Sequence, residues 1–149
     1  MIIIDGHNLI GSSGIQFSDP ESKNKILNLI DNFQNITGNK IIVVFDGSSY
    51  GGYEKSYHNN IEINYPLDNE NADQVIMYLI DKYHNQHSIT IVSSDNEIIE
   101  KANNANLKHI KSKYFFESIN SVICKSKNIS DNVPFNNNEY WFNLFKIRK

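Results

Sequence analysis

The chain has 149 residues, 40% of them hydrophobic, and a formal net charge of −3, which predicts one globular domain with its own core and excludes a disordered chain. No apolar run approaches the roughly 20 residues needed to cross a bilayer, and Ile2-Ile3-Ile4 has no basic flank and is far too short for a secretory signal. Cys124 is the only cysteine, so an intrachain disulfide and a cysteine zinc site are excluded, and a reduced, cytoplasmic setting is expected.

Ile2 to Ile4 is a β-branched run that predicts a strand buried on both faces. It ends in Asp5-Gly6, with Asn8 three residues after the acid. Ligand crevices of open α/β sheets lie beyond the carboxyl ends of the strands. Asp5 therefore either stands at the mouth of a site or caps the following element, and the residues alone leave both readings open. Gly6 is expected to free the backbone to turn. Gly11-Ser12-Ser13-Gly14 predicts a loop. Asp19-Pro20-Glu21 predicts a helix start, with an N-cap acid and proline at the first helical position. Ile26, Leu29, Ile30, Phe33 and Ile36 give that helix its buried stripe, and Gly38 ends it.

Lys40 to Phe45 predicts a second buried strand, which again ends in an acid and a glycine, Asp46-Gly47. Ser48 to Tyr53 predicts a loop near the site. Ile61-Glu62-Ile63-Asn64-Tyr65 alternates and predicts a short strand towards the sheet edge. Asp68 to Ala72 predicts the start of a helix whose buried face is Val75, Ile76, Leu79, Ile80 and Tyr83. Glu70 and Asp73, three apart, are expected to share a side of its first turn. Ser88 to Asp95 predicts a third strand ending in an acid, followed by a helix at Asn96-Glu97-Ile98-Ile99. Leu107 to Ile110 predicts a short strand, and Tyr114, Phe115, Ile119, Val122 and Ile123 a last helix. Asn128 to Asn138 is loop-like, and Tyr140 to Lys149 mixes aromatics with cations. Residues 1–125 are expected to form the domain, and 126–149 an extension that packs on it or docks on a partner. Alternating strands and helices predict a three-layer α/β fold around a mainly parallel sheet of about five strands.

Charge is unevenly spread. Residues 1–100 hold 14 acids against five lysines, a net −9, whereas residues 101–149 hold nine Lys or Arg against three acids, a net +6. An acidic part that concentrates metal ions beside a basic flank that holds phosphates has this distribution. Lys111, Lys113, Lys125 and Lys127 are the candidate RNA contacts. Asp5, Asp46 and Asp95 end strands and Asp73 lies at a helix start. Crowded carboxylates repel, and a hard divalent ion, Mg²⁺ or Mn²⁺, relieves that repulsion and can align a water against a phosphodiester. No histidine pair stands at metal spacing, so zinc is not expected, and His7 is read as a surface or loop histidine. No G-x-x-x-x-G-K-[ST] loop, G-x-G-x-x-G turn or G-x-S-x-G elbow occurs.

Ile4-Asp5-Gly6-His7-Asn8-Leu9-Ile10, Val43-Val44-Phe45-Asp46-Gly47, Asn71-Ala72-Asp73-Gln74-Val75-Ile76 and Val92-Ser93-Ser94-Asp95 resemble, in order, the motifs of the NYN domain. The resemblance is to its YacP-like branch, within the PIN-like nuclease superfamily, and spans roughly residues 2–115. It implies a Rossmann-like sheet and a metal-dependent endoribonuclease. Asp5, Asp73 and Asp95 would be the catalytic, metal-binding acids. Asn8 and Asp46 would support them, Ser94 would border the metal shell, and Glu70 is carried as a further supporting acid. RNA is the implied partner, with a ribosome-linked role. Two other readings are carried: a non-catalytic RNA- or ribosome-binding module of the same fold using the basic C-terminal part, and the toxin of a toxin–antitoxin pair.

Overall fold

The computed structural model describes residues 1–47, 55–86 and 88–127. In chain order these form β1 (Ile2–Asp5), α1 (Gly6–Ser13), α2 (Ser22–Thr37), β2 (Ile41–Val44), β3 (Lys55–His58), β4 (Ile61–Asn64), α3 (Ala72–Tyr83), β5 (Thr90–Val92), α4 (Asn96–Asn104), β6 (Lys108–Ile110) and α5 (Ser112–Lys127). One sheet runs in the order β3-β4-β2-β1-β5-β6. β3 pairs antiparallel with β4, and the other pairings are parallel. β1 lies between β2 and β5, with Ile4 in register with Val43 on one side and Val92 on the other. No helix among the described residues is long and apolar enough to cross a membrane.

Alternation along the strands divides the interior into two layers. Ile2, Ile4, Ile41, Val43 and Val92 pack against α1, α2 and α5 through Leu9, Ile10, Ile26, Ile30, Phe33, Phe115 and Ile119. Ile3, Ile42, Val44 and Ile91 face the other way, against α3 and α4 through Ile76, Leu79, Ile80 and Ile98. Each fully buried Ile, Leu or Phe side chain contributes about 1.5–3 kcal/mol of transfer free energy. That term outweighs local propensity and fixes which way each strand faces.

Four expectations need correction. The predicted loop at Gly11 to Gly14 is mostly helix: α1 runs through Ser13, and Gly14, at φ 79°, closes it. Burial of Leu9 and Ile10 outweighs the poor helix propensity of the Gly/Ser run. α2 starts at Ser22 and not at Asp19-Pro20, because the Asp19 carboxylate accepts from the Glu21 N–H at 2.9 Å and forms a turn ahead of the helix. The sheet has six strands. The added one is β3, whose Lys-Ser-Tyr-His sequence carries no apolar alternation; it covers the outer edge of β4, and Lys55 bonds Glu62 at 3.3 Å. β4 is therefore fully buried, one strand in from the edge, as its expected place towards the sheet edge allows. The fourth concerns α3, which begins at Ala72 behind an Asn71–Gln74 capping box, so Glu70 precedes the helix and is not in its first turn. α5 continues through Lys127 and takes in the first two residues of the expected 126–149 extension; the rest of that extension and the expected loop at 48–53 lie outside the described residues.

Candidate active site at the carboxyl edge

The parallel strands deliver their carboxyl ends to one edge, and four helices start there. Asp5 closes β1 with an extended backbone and is only 2% exposed. Its Oδ1 accepts from the Asn8 backbone N–H at 3.2 Å, and its Oδ2 from the Asn8 side-chain amide at 2.5 Å and from the Ser93 hydroxyl at 3.1 Å. The capping reading of Asp5 thus holds: from the end of β1 it caps α1. Gly6 begins α1 for a steric reason and not for a turn. A Cβ there would lie 2.5 Å from two ring carbons of the buried Phe45. Phe45 in turn has the Lys23 ammonium 5.2 Å from its ring centre, and the same ammonium lies 5.3 Å from the Tyr65 ring.

Ser93 ties two acids together. It donates to Asp5, and its oxygen accepts from the Asp95 N–H at 3.1 Å. Asp95 caps α4, its Oδ1 accepting from the Glu97 and Ile98 N–H groups at 2.8 and 3.3 Å. Asp46 follows β2 in a turn that Gly47 closes at φ +93°, and its Oδ1 accepts from the Ala72 N–H at 2.9 Å. Together with the Asn71–Gln74 box, this bond pins the first turn of α3 and thereby sets Asp73 in place.

Asp73 differs from the others. It is half-buried and accepts no hydrogen bond from the described residues. Burial raises its pKa above the ordinary aspartate value, and the charges of Asp95, Asp5, Asp46 and Glu97 add to the rise. Those four carboxylates therefore act on Asp73 electrostatically.

Other expected residues lie elsewhere. The exposed Glu70 carboxylate accepts from the Leu67 N–H at 3.4 Å. The Ser94 hydroxyl accepts from the Ser112 N–H at 3.2 Å and caps α5, turned away from the Asp5 bond that its neighbour Ser93 makes. Ser93 is the residue that sequence reasoning missed. Side chains alternate beyond a strand end, so only one of two adjacent serines could reach Asp5, and the spacing did not say which. Lys111 and Lys113 are exposed at the start of α5, on this edge. Lys127 ends α5, roughly 20 Å from Lys113 at the helical rise of about 1.5 Å per residue. Lys125, near that far end, is half-buried, and burial lowers its pKa. The four lysines do not form one patch.

The four acids at the edge, Asp5, Asp46, Asp73 and Asp95, offer hard carboxylate oxygens, which suit Mg²⁺ or Mn²⁺. Among the described residues no three His, Cys, Asp or Glu are gathered tightly enough to enclose an ion. Mg²⁺ keeps several of its waters and needs only one or two carboxylates, so an open acidic edge, and not a cage, fits it.

Residues 2–141 match the YacP-like NYN domain. The uncharacterized protein YacP of Bacillus subtilis (strain 168) is 31% identical over 103 residues, which are 64% of this chain and 60% of that protein; the match therefore spans less than two thirds of the relative's length. The fold is similar to the crystal structure of Rae1 (YacP) from Bacillus subtilis, with a TM-score of 0.73 at 20% identity, covering 87% of this chain and 79% of that one. A tryptophan-to-leucine variant of the same protein gives a TM-score of 0.71 at 19% identity, covering 97% and 91%.

Proposed function

The chain belongs to the YacP-like NYN domain family, a family of PIN-like nucleases, and on that premise we propose that it is a divalent-metal-dependent endoribonuclease that hydrolyses RNA phosphodiester bonds. The observation that carries the reading is Asp73. It is a half-buried carboxylate that accepts no hydrogen bond from the described residues, and burial and surrounding acids both disfavour its charge. Such a group burdens the fold unless a cation or a substrate uses it.

Asp5, Asp73 and Asp95 would hold Mg²⁺ or Mn²⁺, which when bound lowers the pKa of a water and offsets charge developing on the phosphate. The chain's own contribution is orientation. Asn8 and Ser93 fix the Asp5 carboxylate from both oxygens, Ser93 also fixes the Asp95 backbone, and Asp46 fixes α3. Lys111 and Lys113 stand where phosphates flanking the cleaved bond would pass. The same family premise makes messenger RNA on the ribosome, in the cytoplasm, the natural substrate to offer.

The test is cleavage of naked RNA and of ribosome-bound messenger RNA in Mg²⁺ or Mn²⁺, against a chelator control, by wild type, Asp73→Asn and Asp95→Asn. Asparagine keeps the cap at position 95, so both variants should stay folded while cleavage falls on the order of 100-fold or more. Unchanged cleavage in both variants would overturn the reading. RNA binding without cleavage, lost on neutralising Lys111 and Lys113, would put a docking module in its place.

A further inference from the structure

The acids do not account for everything exposed beside them. His7, in the first turn of α1, is exposed and lies two residues beyond Asp5. Its ring stacks on Phe17, with centroids 4.4 Å apart and planes at 26°. Phe17 is 52% exposed although it is a large apolar side chain, and a Cβ on Gly11, one turn along from His7, would lie 3.5 Å from its ring edge. Lone exposed aromatics are ordinary. A pair of rings stacked in the open, one of them on a residue whose Cα lies within about 8 Å of the Asp5 Cα, is a more specific feature.

Charge around the edge gives the pair a direction. Asp73, Asp95 and Glu97 belong to α3 or the start of α4, on one face of the sheet. α1 and α5 pack on the other face, and both begin at the same edge, with His7 on the first and Lys111 and Lys113 at the head of the second. A polyanion leaving the acids is repelled on the α3/α4 side and attracted on the α1/α5 side. A strand following Lys111 and Lys113 on that side would bring its bases towards His7 and Phe17.

We propose that the His7–Phe17 pair is a stacking platform for one unpaired nucleobase of the RNA, next to the bond that is cut. The proposal rests on the nuclease reading for its substrate class. A base has two flat faces, and adding one to a column of two rings needs no sequence-specific hydrogen bond, so the platform takes any base and requires single-stranded RNA. A double helix keeps its bases stacked on each other and has none to offer.

The probe is a single-stranded RNA hexanucleotide carrying 2-aminopurine, whose fluorescence falls when it stacks, bound to the full chain in chelator at low salt. Wild type should quench it. Phe17→Ala and His7→Ala should bind about ten-fold more weakly and lose the quench, which is the order expected for one base–aromatic stack. Phe17→Leu, which keeps apolar bulk without a π face, should behave like Phe17→Ala, while Phe17→Trp should keep both binding and quench. In Mg²⁺ the Ala variants should raise KM about ten-fold and leave kcat nearly unchanged. Melting curves matching wild type would show that the loss is local. Binding and quench unchanged in both Ala variants would overturn the platform, and if Asp73→Asn still abolished cleavage the nuclease reading would stand without it. A Phe17-dependent quench with no cleavage by any form would do the reverse. Absence of both binding and cleavage in wild type would overturn the two together.

Discussion

On one face of the sheet, α3 and α4 bring Asp73, Asp95 and Glu97 to the carboxyl edge; on the other, α1, α2 and α5 bring His7, Lys23, Lys111 and Lys113. The interiors beneath are alike, with fully buried isoleucines and valines from the same strands. What differs is how the polar groups at the edge are held. Asp5, Asp46 and Asp95 each satisfy backbone N–H groups at a helix start, a role favoured by about 0.3–1 kcal/mol per charge near a helix N-terminus. Lys23 is held by two ring faces. Asp73 shares the helix-start position, in the first turn of α3, but accepts no hydrogen bond from the described residues and takes the accumulated repulsion. Three acids are thus tied down by the backbone at a helix start, and the fourth is not.

The tightest contact at the edge is Phe45 against Gly6, inside the α1/α2/α5 layer, and breaking it should have the largest effect. In Gly6→Ala the new methyl would stand 2.5 Å from a ring that is fully buried. Something must shift, and overpacking of this kind costs about 1–3 kcal/mol. Thermal melting should show the loss, and Phe45→Leu in the same chain should restore part of it, a coupling that a double-mutant cycle reads directly. An unchanged melting temperature would mean that α1 does not pack against β2 closely enough to fix Asp5. A smaller effect is expected at Asp46. Asp46→Ala removes a cap from α3 at a cost of about 1 kcal/mol, softened because the Asn71–Gln74 box remains, and cleavage should drop roughly ten-fold as Asp73 loses its anchor. Asp46→Asn should keep stability and most activity. If the two variants behaved alike, Asp46 would act through its charge and not by holding the helix.

The sheet's central strands and the edge acids were legible because both rest on strong local signals. Ile2 to Ile4, Lys40 to Phe45 and the run around Ile91 have no other good solution than burial, and an acid at such a strand end can only reach the carboxyl edge. α1 was not legible, because its evidence is the tertiary burial of Leu9 and Ile10, which a Gly/Ser-rich run conceals. β3 was not legible, because an edge strand with Lys55, Tyr57 and His58 has no apolar face to show and is defined by its pairing with β4. The choice of Ser93 over Ser94 depended on a strand's phase, and one residue of uncertainty reverses it. The lysines failed as a group for a simpler reason: net charge counts residues along the chain, and a helix of 16 residues carried Lys113 and Lys127 to opposite ends.

The smallest effect should also be the most discriminating. Asp73 has its folded pKa raised above the ordinary 3.8, so the folded state holds this proton to higher pH than the unfolded chain does. Stability linked to Asp73 is therefore fully present below 3.8 and is lost as pH rises through the raised value. At neutral pH, in metal-free buffer, Asp73→Asn should consequently melt higher than wild type, by roughly 1–4 °C for a chain of this size. The difference should shrink to nothing as pH falls below about 3.5. Mn²⁺ should then separate the two proteins in the opposite sense, because an ion that binds only the folded state raises the melting temperature, and only wild type retains the acid to bind it. Loss of cleavage together with a gain in stability is an outcome that a purely structural aspartate does not produce. Equal melting of the two proteins across the whole pH range would instead mean that the α3/α4 side of the edge carries no electrostatic load, and the contrast between the two faces would dissolve.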